Sequence, residues 1–167
     1  MENFLRKTAW LYLSIAVSVF LLDIITKNLA EKLFTTHVEV FPFLEFYLIY
    51  NKGVAFGLLS ELPDPLRLPL LLITPVIALI ITFLYALYSG DRIVAISMGL
   101  IGGGALGNLY DRLFLGMVRD FIHLHIGEYY WPAFNIADAS ISIGIALLIL
   151  KYFFTKPALK NLVNRTR

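Results

Sequence analysis

The sequence predicts a mainly α-helical membrane protein, with four transmembrane helices and a small extracytoplasmic segment that is β-rich or amphipathic. Hydrophobic residues make up 59% of the chain, its mean hydropathy is +0.76, and only 16% of its residues are charged. A soluble domain is nearer half apolar, with about a quarter of its residues charged. The composition therefore favours a lipid bilayer as the solvent, and four apolar runs in the sequence have the length to cross one.

Each apolar run supplies roughly the 20 helical residues that a bilayer core of ~30 Å requires. The runs cover residues 9–29, 66–88, 93–109 and 132–154. They predict a single integral membrane domain over residues 1–167. Pro69 and Pro75 fall in the second run, where neighbouring helices can absorb such breaks. The first run lacks a small-residue cleavage site at its end, so we do not interpret it as a removed signal peptide.

Composition also excludes several functions. The net charge of +2 is too small to indicate nucleic acid binding, and no basic stripe stands out. The chain has no cysteine, which excludes disulfides, thiol catalysis and thiolate metal sites.

Basic residues in short flanking segments predict the orientation of the helices. They precede the first run, lie in the turn after the second and follow the fourth: Arg6, Lys7, Arg92, Lys151, Lys156, Lys160, Arg165 and Arg167. All of them fall on one side, which we take as cytoplasmic, so both termini are expected there. The segment 30–65 is then extracytoplasmic.

Two local patterns occur in the extracytoplasmic segment. Residues 38–50 are rich in Phe, Tyr, Val and Ile, which is typical of a β-strand or hairpin, and their aromatic rings suit the membrane–water interface. Residues 51–56, NKGVAF, are typical of a turn that leads into a short interfacial helix. An ordinary amphipathic loop is the alternative for this segment.

Up-and-down alternation of the helices brings four aspartates to the outer side of the membrane. Asp23 lies near the outer end of the first run, where it can pair with Lys27, and Asp111 lies just past the end of the third run. Asp120 follows in the outer loop, and Asp138 lies about two turns into the fourth run, on the order of 8 Å below its start. Ionisable groups at membrane depth are rare and usually mark function. We therefore expect a shallow functional site near the outer leaflet.

Asp120 and Asp138 are the strongest candidates for chemistry. Two carboxylates brought close in a site of low dielectric cannot both ionise, so the pKa of one rises and the two share a proton. One then serves as a base that activates water, and the other as an acid that protonates a leaving amine. From residue types alone three hypotheses remain, namely catalysis, a proton or ion relay, and a structural role in which each carboxylate is hydrogen-bonded separately.

Other polar and small residues have simpler interpretations. Gly99, Gly103 and Gly107 are spaced four apart, which suits close packing of helices. His123 and His125 form an HxH pair without an accompanying HExxH motif or cysteine ligand, so we predict no metal site.

Five sequence blocks are specific when taken as a set. They are DIITK (residues 23–27), NKGVAF (51–56), GGALGNLYDR (103–112), RDFI (119–122) and FNIAD (134–138). In this order they resemble the five blocks of the lipoprotein signal peptidase family, also called signal peptidase II. The resemblance extends from the first apolar run to the fourth.

The resemblance implies a four-helix aspartyl endopeptidase of the bacterial inner membrane. It would cleave the signal peptide from a diacylglyceryl-modified prolipoprotein, just before the lipidated cysteine, with Asp120 and Asp138 as the catalytic pair. It also implies that no cofactor is needed, that the partners are the lipidated prolipoprotein and membrane lipids, and that the cyclic peptide globomycin inhibits. The residues that it implies to support or line the site are Asp23, Lys27, Asn51, Gly53, Asn108, Arg112 and Asn135.

Arg119 departs from the family pattern, in which we expect an apolar residue before the aspartate of the DFI block. Asp120 still aligns with the aspartate of the DFI block, and Arg119 predicts a more positive electrostatic field around it.

Two rival hypotheses use the same carboxylates. A small proton-coupled transporter or channel subunit would need a polar path to the cytoplasmic face, and a structural assembly subunit would tolerate Asp-to-Asn changes.

Overall fold

The computed structural model describes residues 2–53, 59 and 61–165, with side chains placed between residues 3 and 154 of that part. Four helices and four strands lie within it. The helices are α1 (Glu2–Leu33), α2 (Asp64–Ser89), α3 (Arg92–Leu115) and α4 (Ile136–Arg165), and the strands are β1 (Val38–Phe41), β2 (Leu44–Asn51), β3 (Val118–Ile126) and β4 (Tyr129–Tyr130). All four helices are long and apolar enough to cross a membrane. This confirms the predicted fold class.

The bounds of the helices differ from those of the apolar runs. Helix α1 continues to Leu33 and α3 to Leu115, so both extend past the predicted outer ends of their runs. Helix α4 begins only at Ile136, because the residues before it are extended and Phe134 forms a β-bridge with Ile122 of β3. The interfacial helix expected after Asn51 falls on residues 54–58, which lie outside the described residues.

Helix α3 is the centre of the bundle and packs against the other three helices. A Cβ atom added at Gly103 would lie 2.6 Å from the carbonyl oxygen of Ala16 in α1, and one added at Gly104 would collide with the carbonyl oxygen of Ala137 in α4. Glycine at these positions therefore allows the backbone of α3 to pack directly against the backbones of α1 and α4, as small residues do between membrane helices. The glycines expected to form a packing face lie against α1: Gly99, Gly103 and Gly107.

A short turn connects α2 to α3 at one end of the bundle. Gly90 ends α2 in the left-handed conformation, with φ of 61°. Asp91 then caps α3 by accepting hydrogen bonds from N–H groups of its first turn, and it also pairs with Lys151 of α4. Because α3 has 24 residues, it carries the chain about 36 Å to the opposite end. The sheet begins there.

The four strands form one antiparallel sheet in the order β1–β2–β3–β4. The hairpin of β1 and β2 confirms the strands expected within residues 38–50. The prediction that Asp120 lies in a loop is wrong, because Asp120 is in β3 and pairs with Ile49 of β2. Polar residues in β3 conceal its strand pattern in the sequence, although Arg119, Asp120 and His123 are all buried.

Candidate active site

The end of α3, the start of α4 and the paired strands β2 and β3 meet at the sheet end of the bundle. Helix α3 brings Asn108 and Arg112 in its last turns, β3 brings Asp120, and α4 brings Asp138. The prediction that Asp138 lies two turns inside its helix is wrong. Because α4 begins at Ile136, Asp138 is in its first turn.

Two amide side chains hold the carboxylate of Asp120. Asn135 Nδ2 donates to Oδ1 at 2.7 Å, and Asn51 Nδ2 donates to Oδ2 at 3.0 Å. Asn51 lies opposite Val118 in the β2–β3 ladder, and Asp120 lies two residues further along the same face. The strand register therefore sets this contact. Asp120 is only 2% exposed, and both of its oxygens accept from uncharged donors.

The carboxylate of Asp138 is held at the first turn of α4. Asn108 Nδ2 donates to Oδ1 at 2.8 Å, and the backbone N–H of Asn135 donates to Oδ2 at 3.3 Å. In return, the backbone N–H of Asp138 donates to Oδ1 of Asn135 at 3.0 Å. This reciprocal pair of bonds is a capping box. Asn135 thus bonds to both Asp120 and Asp138, and it keeps the two carboxylates adjacent.

A lysine in α1 fixes the direction of the Asn108 amide. Lys27 Nζ donates to Asn108 Oδ1 at 3.1 Å, and Asn135 Nδ2 donates to the same oxygen at 3.2 Å. Since an ammonium group has donors only, the amide oxygen must face Lys27. The amide NH2 group consequently faces Asp138.

Burial is the main cause that raises the pKa of Asp120, and the negative charge of Asp138 adds to it, so the pKa reaches about 7. The hydrogen bonds from Asn51 and Asn135 oppose this rise, because they stabilise the ionised form. A carboxyl group with a pKa near 7 gains and loses its proton at neutral pH. General acid–base catalysis is most efficient when the pKa of the catalytic group lies near the operating pH.

A second group of charges lies behind the pair, and we call Asp23, Lys27, Asp111 and Arg119 the ionic cluster. Lys27 Nζ lies 2.7 Å from Asp23 Oδ2 and 3.3 Å from Asp111 Oδ2. Arg119 binds Asp111 through two nitrogens, Nη2 at 2.7 Å from Oδ1 and Nε at 3.2 Å from Oδ2. Asp23 Oδ1 also accepts from the backbone N–H of Ala137 in α4 at 2.9 Å. The cluster therefore balances its own charges and connects four elements, namely α1, α3, α4 and β3.

Two expectations about this cluster need correction. Asp111 does not lie past the end of the third span, because α3 continues to Leu115. The positive charge of Arg119 is neutralised by Asp111 and by Glu31, whose Oε2 lies 3.0 Å from Arg119 Nη1. Since side chains alternate along a strand, the guanidinium and the Asp120 carboxylate lie on opposite faces of β3.

Two polar contacts of the cluster were missed in the sequence. Arg119 Nη1 donates to Asn28 Oδ1 at 2.8 Å as well as to Glu31. A signal for Glu31 was present, because Asp23, Lys27 and Glu31 recur every four residues and so share one helix face.

Both aspartates line a cavity of about 950 Å³ between α2, α3, α4 and the sheet. Most of its wall is apolar, and its polar lining residues, among those that the structure describes, are Asn51, Thr74, Asn108, Arg112, Asp120, Asp138 and Ser142. Arg112 Nη2 donates to the carbonyl oxygen of Gly53 at 3.2 Å, and the Gly53 N–H donates to Asn51 Oδ1 at 2.9 Å. Gly53 is therefore held between the helices and the sheet beside the cavity.

The HxH pair takes part in contacts of the sheet. His123 Nε2 lies 2.9 Å from the carbonyl oxygen of Tyr47, and its ring stacks on the Tyr47 ring. Burial lowers the pKa of His123, which favours the neutral ring. His125 Nε2 lies 3.3 Å from Glu45 Oε1. In the part of the chain that the structure describes, no three His, Cys, Asp or Glu side chains are placed to hold a metal ion.

The fold and the site together define a class of protein. Two adjacent carboxylates, one in β3 and one in α4, line one largely apolar cavity at an end of the four membrane-spanning helices, and one of the two carboxyl groups has a pKa near 7. This is the arrangement of an aspartic hydrolase in a membrane.

The chain belongs to the signal peptidase II family, whose model, described as "Signal peptidase (SPase) II", matches residues 15–154. This confirms the predicted family and identifies the chain as an aspartic peptidase. The lipoprotein signal peptidase of Sulfurihydrogenibium sp. (strain YO3AOP1) is 43% identical over 163 residues, 94% of this chain and 100% of that protein. The lipoprotein signal peptidase of Francisella tularensis subsp. novicida (strain U112) is 39% identical over 149 residues, 87% of this chain and 92% of that protein.

Solved structures agree with this assignment. A bacterial membrane enzyme determined by the in meso method at 2.3 Å resolution aligns with a TM-score of 0.76 and 32% identity, over 87% of this chain and 88% of that chain. A second, determined by the same method at 1.9 Å, aligns with a TM-score of 0.72 and 33% identity, over 84% and 91%. The chain is thus a multi-pass bacterial membrane enzyme.

Proposed function

We propose that this enzyme removes the signal peptide from diacylglyceryl-modified prolipoproteins by cutting just before the lipidated cysteine, with Asp120 and Asp138 as its catalytic pair. The names of its relatives, lipoprotein signal peptidases, support the substrate class. The single observation that carries the catalytic roles is the pair itself. Asn135 joins the two carboxylates on one cavity wall, and the pKa of Asp120 is near 7.

The two aspartates take different roles in this mechanism. Asp138 lies at the N-terminal end of α4, where the helix dipole favours a negative charge, and it accepts a proton from water. The oxygen of that water attacks the scissile carbonyl carbon, while the proton held by Asp120 moves to the carbonyl oxygen. When the tetrahedral intermediate breaks its C–N bond, Asp138 gives its proton to the leaving amine. Asp120 recovers a proton from a hydroxyl group of the intermediate, so both residues return to their starting states.

The surrounding residues support this chemistry in two ways. The amides of Asn51, Asn108 and Asn135 orient the carboxylates without adding charge, and the pair Asp23 and Lys27 fixes the Asn108 amide. Arg112 and Gly53 lie together beside the cavity, where the backbone of a bound substrate would pass. Together these are the seven residues that the resemblance implies, and here they receive roles as substrate-binding or supporting groups.

The placement in the membrane follows from the two ends of the bundle. The site and the sheet occupy one end, which we place at the outer face of the inner membrane, with both termini in the cytoplasm as the basic residues indicate. Exposed aromatic residues of the sheet region suit the lipid interface: Phe41, Phe43, Tyr129 and Trp131. The lipid chains of the substrate remain in the outer leaflet, beside the apolar cavity wall. Globomycin is expected to inhibit by occupying the same cavity.

Cleavage of a synthetic precursor tests the proposed function. Purified enzyme is given the same precursor with and without the diacylglyceryl group, and the products are located by mass spectrometry. We expect a single cut before the lipidated cysteine and little cleavage of the unlipidated peptide. Equal cleavage of both peptides, or a cut elsewhere, would contradict the proposed substrate. A parallel proteoliposome flux assay tests the relay hypothesis, for which we expect no flux above empty vesicles.

A further inference from the structure

Arg119 is buried to 3% exposure next to Asp120 in the chain, and the mechanism above gives it no role. Its guanidinium reaches two helices. It binds Asp111 of α3 through two nitrogens, and its Nη1 lies 2.8 Å from Asn28 Oδ1 and 3.0 Å from Glu31 Oε2 of α1. One side chain therefore fastens β3 to the ends of both helices.

The main chain of Arg119 is held from two sides as well. Its N–H donates to Asp111 Oδ2 at 3.0 Å, and its carbonyl oxygen accepts from Asn135 Nδ2 at 3.2 Å. The same Nδ2 atom donates to Asp120 Oδ1 at 2.7 Å. The peptide unit between Arg119 and Asp120 is therefore fixed relative to both α3 and the start of α4.

Arg119 also acts on Asp138, through the ionic cluster. Asp111 shares its charge between Arg119 and Lys27, whose Nζ lies 3.3 Å from Asp111 Oδ2. Lys27 in turn donates to Asn108 and so directs its amide toward Asp138. Without the charge of Arg119, we expect Lys27 to move closer to Asp111 and its bond to the amide to weaken.

We propose that Arg119 is a positioning residue, which holds Asp120 through the main chain of β3 and Asp138 through the ionic cluster. The inference rests on the proposed function, because it requires both aspartates to be catalytic. The rigid fork of a guanidinium binds a carboxylate through two bonds, and the ammonium group of lysine does not reproduce this geometry. Since the guanidinium lies on the far face of β3 from the cavity, it acts on the geometry of the reacting groups and leaves substrate binding unchanged.

Steady-state kinetics on the full chain in detergent, with the lipidated precursor peptide, test this role. In Arg119→Met we expect kcat to fall about 10- to 100-fold, the size of loss that small misplacements of catalytic groups cause, while KM stays within about twofold. Arg119→Lys keeps the charge and should give a kcat between those of Arg119→Met and the wild type. The matched control is Tyr50→Phe, which removes a 3.0 Å hydrogen bond to the same Glu31 and keeps the Arg119 side chain. It should keep the wild-type kcat.

A wild-type kcat in Arg119→Met, or a loss that appears in KM alone, overturns the proposal even if the variant is less stable. If Arg119→Met does not accumulate, the kinetics of Arg119→Lys test the proposal in its place. A lowered kcat with an unchanged KM supports the proposal, and wild-type kinetics overturn it. Failure of the proposed function looks different, because the wild type itself would then leave the lipidated precursor intact or Asp120→Asn would retain activity.

Discussion

Two pairs of aspartates lie at the same end of the helix bundle, and their partners differ in kind. The ionic cluster surrounds its two aspartates with Lys27 and Arg119. Asp120 and Asp138 instead accept hydrogen bonds from asparagine amides and a backbone N–H. Among the residues that the structure describes, neither of them forms an ion pair.

We interpret this difference as a division of roles, in which one pair of aspartates stabilises the fold and the other pair is proposed to react. A cation in contact with a carboxylate balances its charge and binds it in a fixed geometry. An amide orients a carboxylate and adds no net charge, while burial and the neighbouring Asp138 raise the pKa of Asp120 to about 7. We therefore expect the aspartates that contact cations to stabilise this site and the aspartates that contact amides to react in it.

The first prediction compares the two pairs by activity and carries the largest expected effect. Asp120→Asn and Asp138→Asn should each lower kcat by about 10³-fold or more, because asparagine neither accepts nor donates the required proton. The double variant should be scarcely worse than either single one, since residues that act as a unit are not additive. Single-turnover cleavage of the lipidated precursor measures this, with thermal unfolding as the check on folding. Substantial turnover by either folded single variant would contradict the catalytic role that distinguishes Asp120 and Asp138 from the aspartates of the ionic cluster.

The second prediction concerns Lys27, the cation that contacts both aspartates of the ionic cluster. Lys27→Met should lower the free energy of unfolding by about 3–5 kcal/mol, the usual cost of breaking a buried ion pair by removing one partner. Lys32→Met is the matched control in the same helix, since Lys32 is exposed, and it should change stability little. Unfolding in mixed micelles compares the two variants. Equal stability of Lys27→Met and Lys32→Met would contradict the ionic cluster as a structural unit.

The third prediction concerns the packing that brings both pairs together. Gly103→Leu should destabilise the bundle by about 1–3 kcal/mol, as overpacking does, because a Cβ atom there already lies 2.6 Å from the carbonyl oxygen of Ala16. Ser18→Leu adds the same side chain at an exposed position of α1 and serves as the control. If both variants accumulate and unfold alike, α1 and α3 do not pack through this glycine.

The fourth prediction is the smallest and sharpens the role of the amides. Asn51→Ala removes a donor that lowers the pKa of Asp120, so that pKa should rise further above about 7. Because the mechanism needs Asp120 protonated, activity is lost as pH rises through this pKa. The alkaline limb of the bell-shaped kcat profile should therefore move up by about 0.5–1 pH unit, the equivalent of one hydrogen bond. A limb that stays in place or moves down would show that Asn51 does not act on Asp120.

The sequence predicted the four spans because a bilayer demands long apolar runs, and it indicated the site residues because five blocks match one family. It did not reveal where α4 begins. The residues around Phe134 are apolar but extended, and hydrophobicity alone does not separate a buried extended segment from a helix.

The sequence did not predict strand β3 or the contacts of Arg119, and the reason is related. Alternating apolar residues mark a strand, and in β3 buried polar residues replace some of them. That Arg119 meets Asp111 while Asp120 meets Asn51 follows from the pairing of β2 with β3 and from the helix ends nearby. Such contacts depend on register, which local sequence does not specify.

Direct titration of the Asp120 carboxyl group tests the central claim, that Asp120 and Asp138 act as one proton-sharing pair. Carbon-13-labelled aspartate, assigned by comparison with Asp120→Asn, reports protonation by its carboxyl signal as the pH is varied. The expected pKa of Asp120 is about 7 in the wild type. In Asp138→Asn it should be lower, because the neighbouring negative charge is gone. A wild-type Asp120 that titrates near 4, the ordinary range of aspartate, or one that is unaffected by Asp138→Asn, would contradict the account.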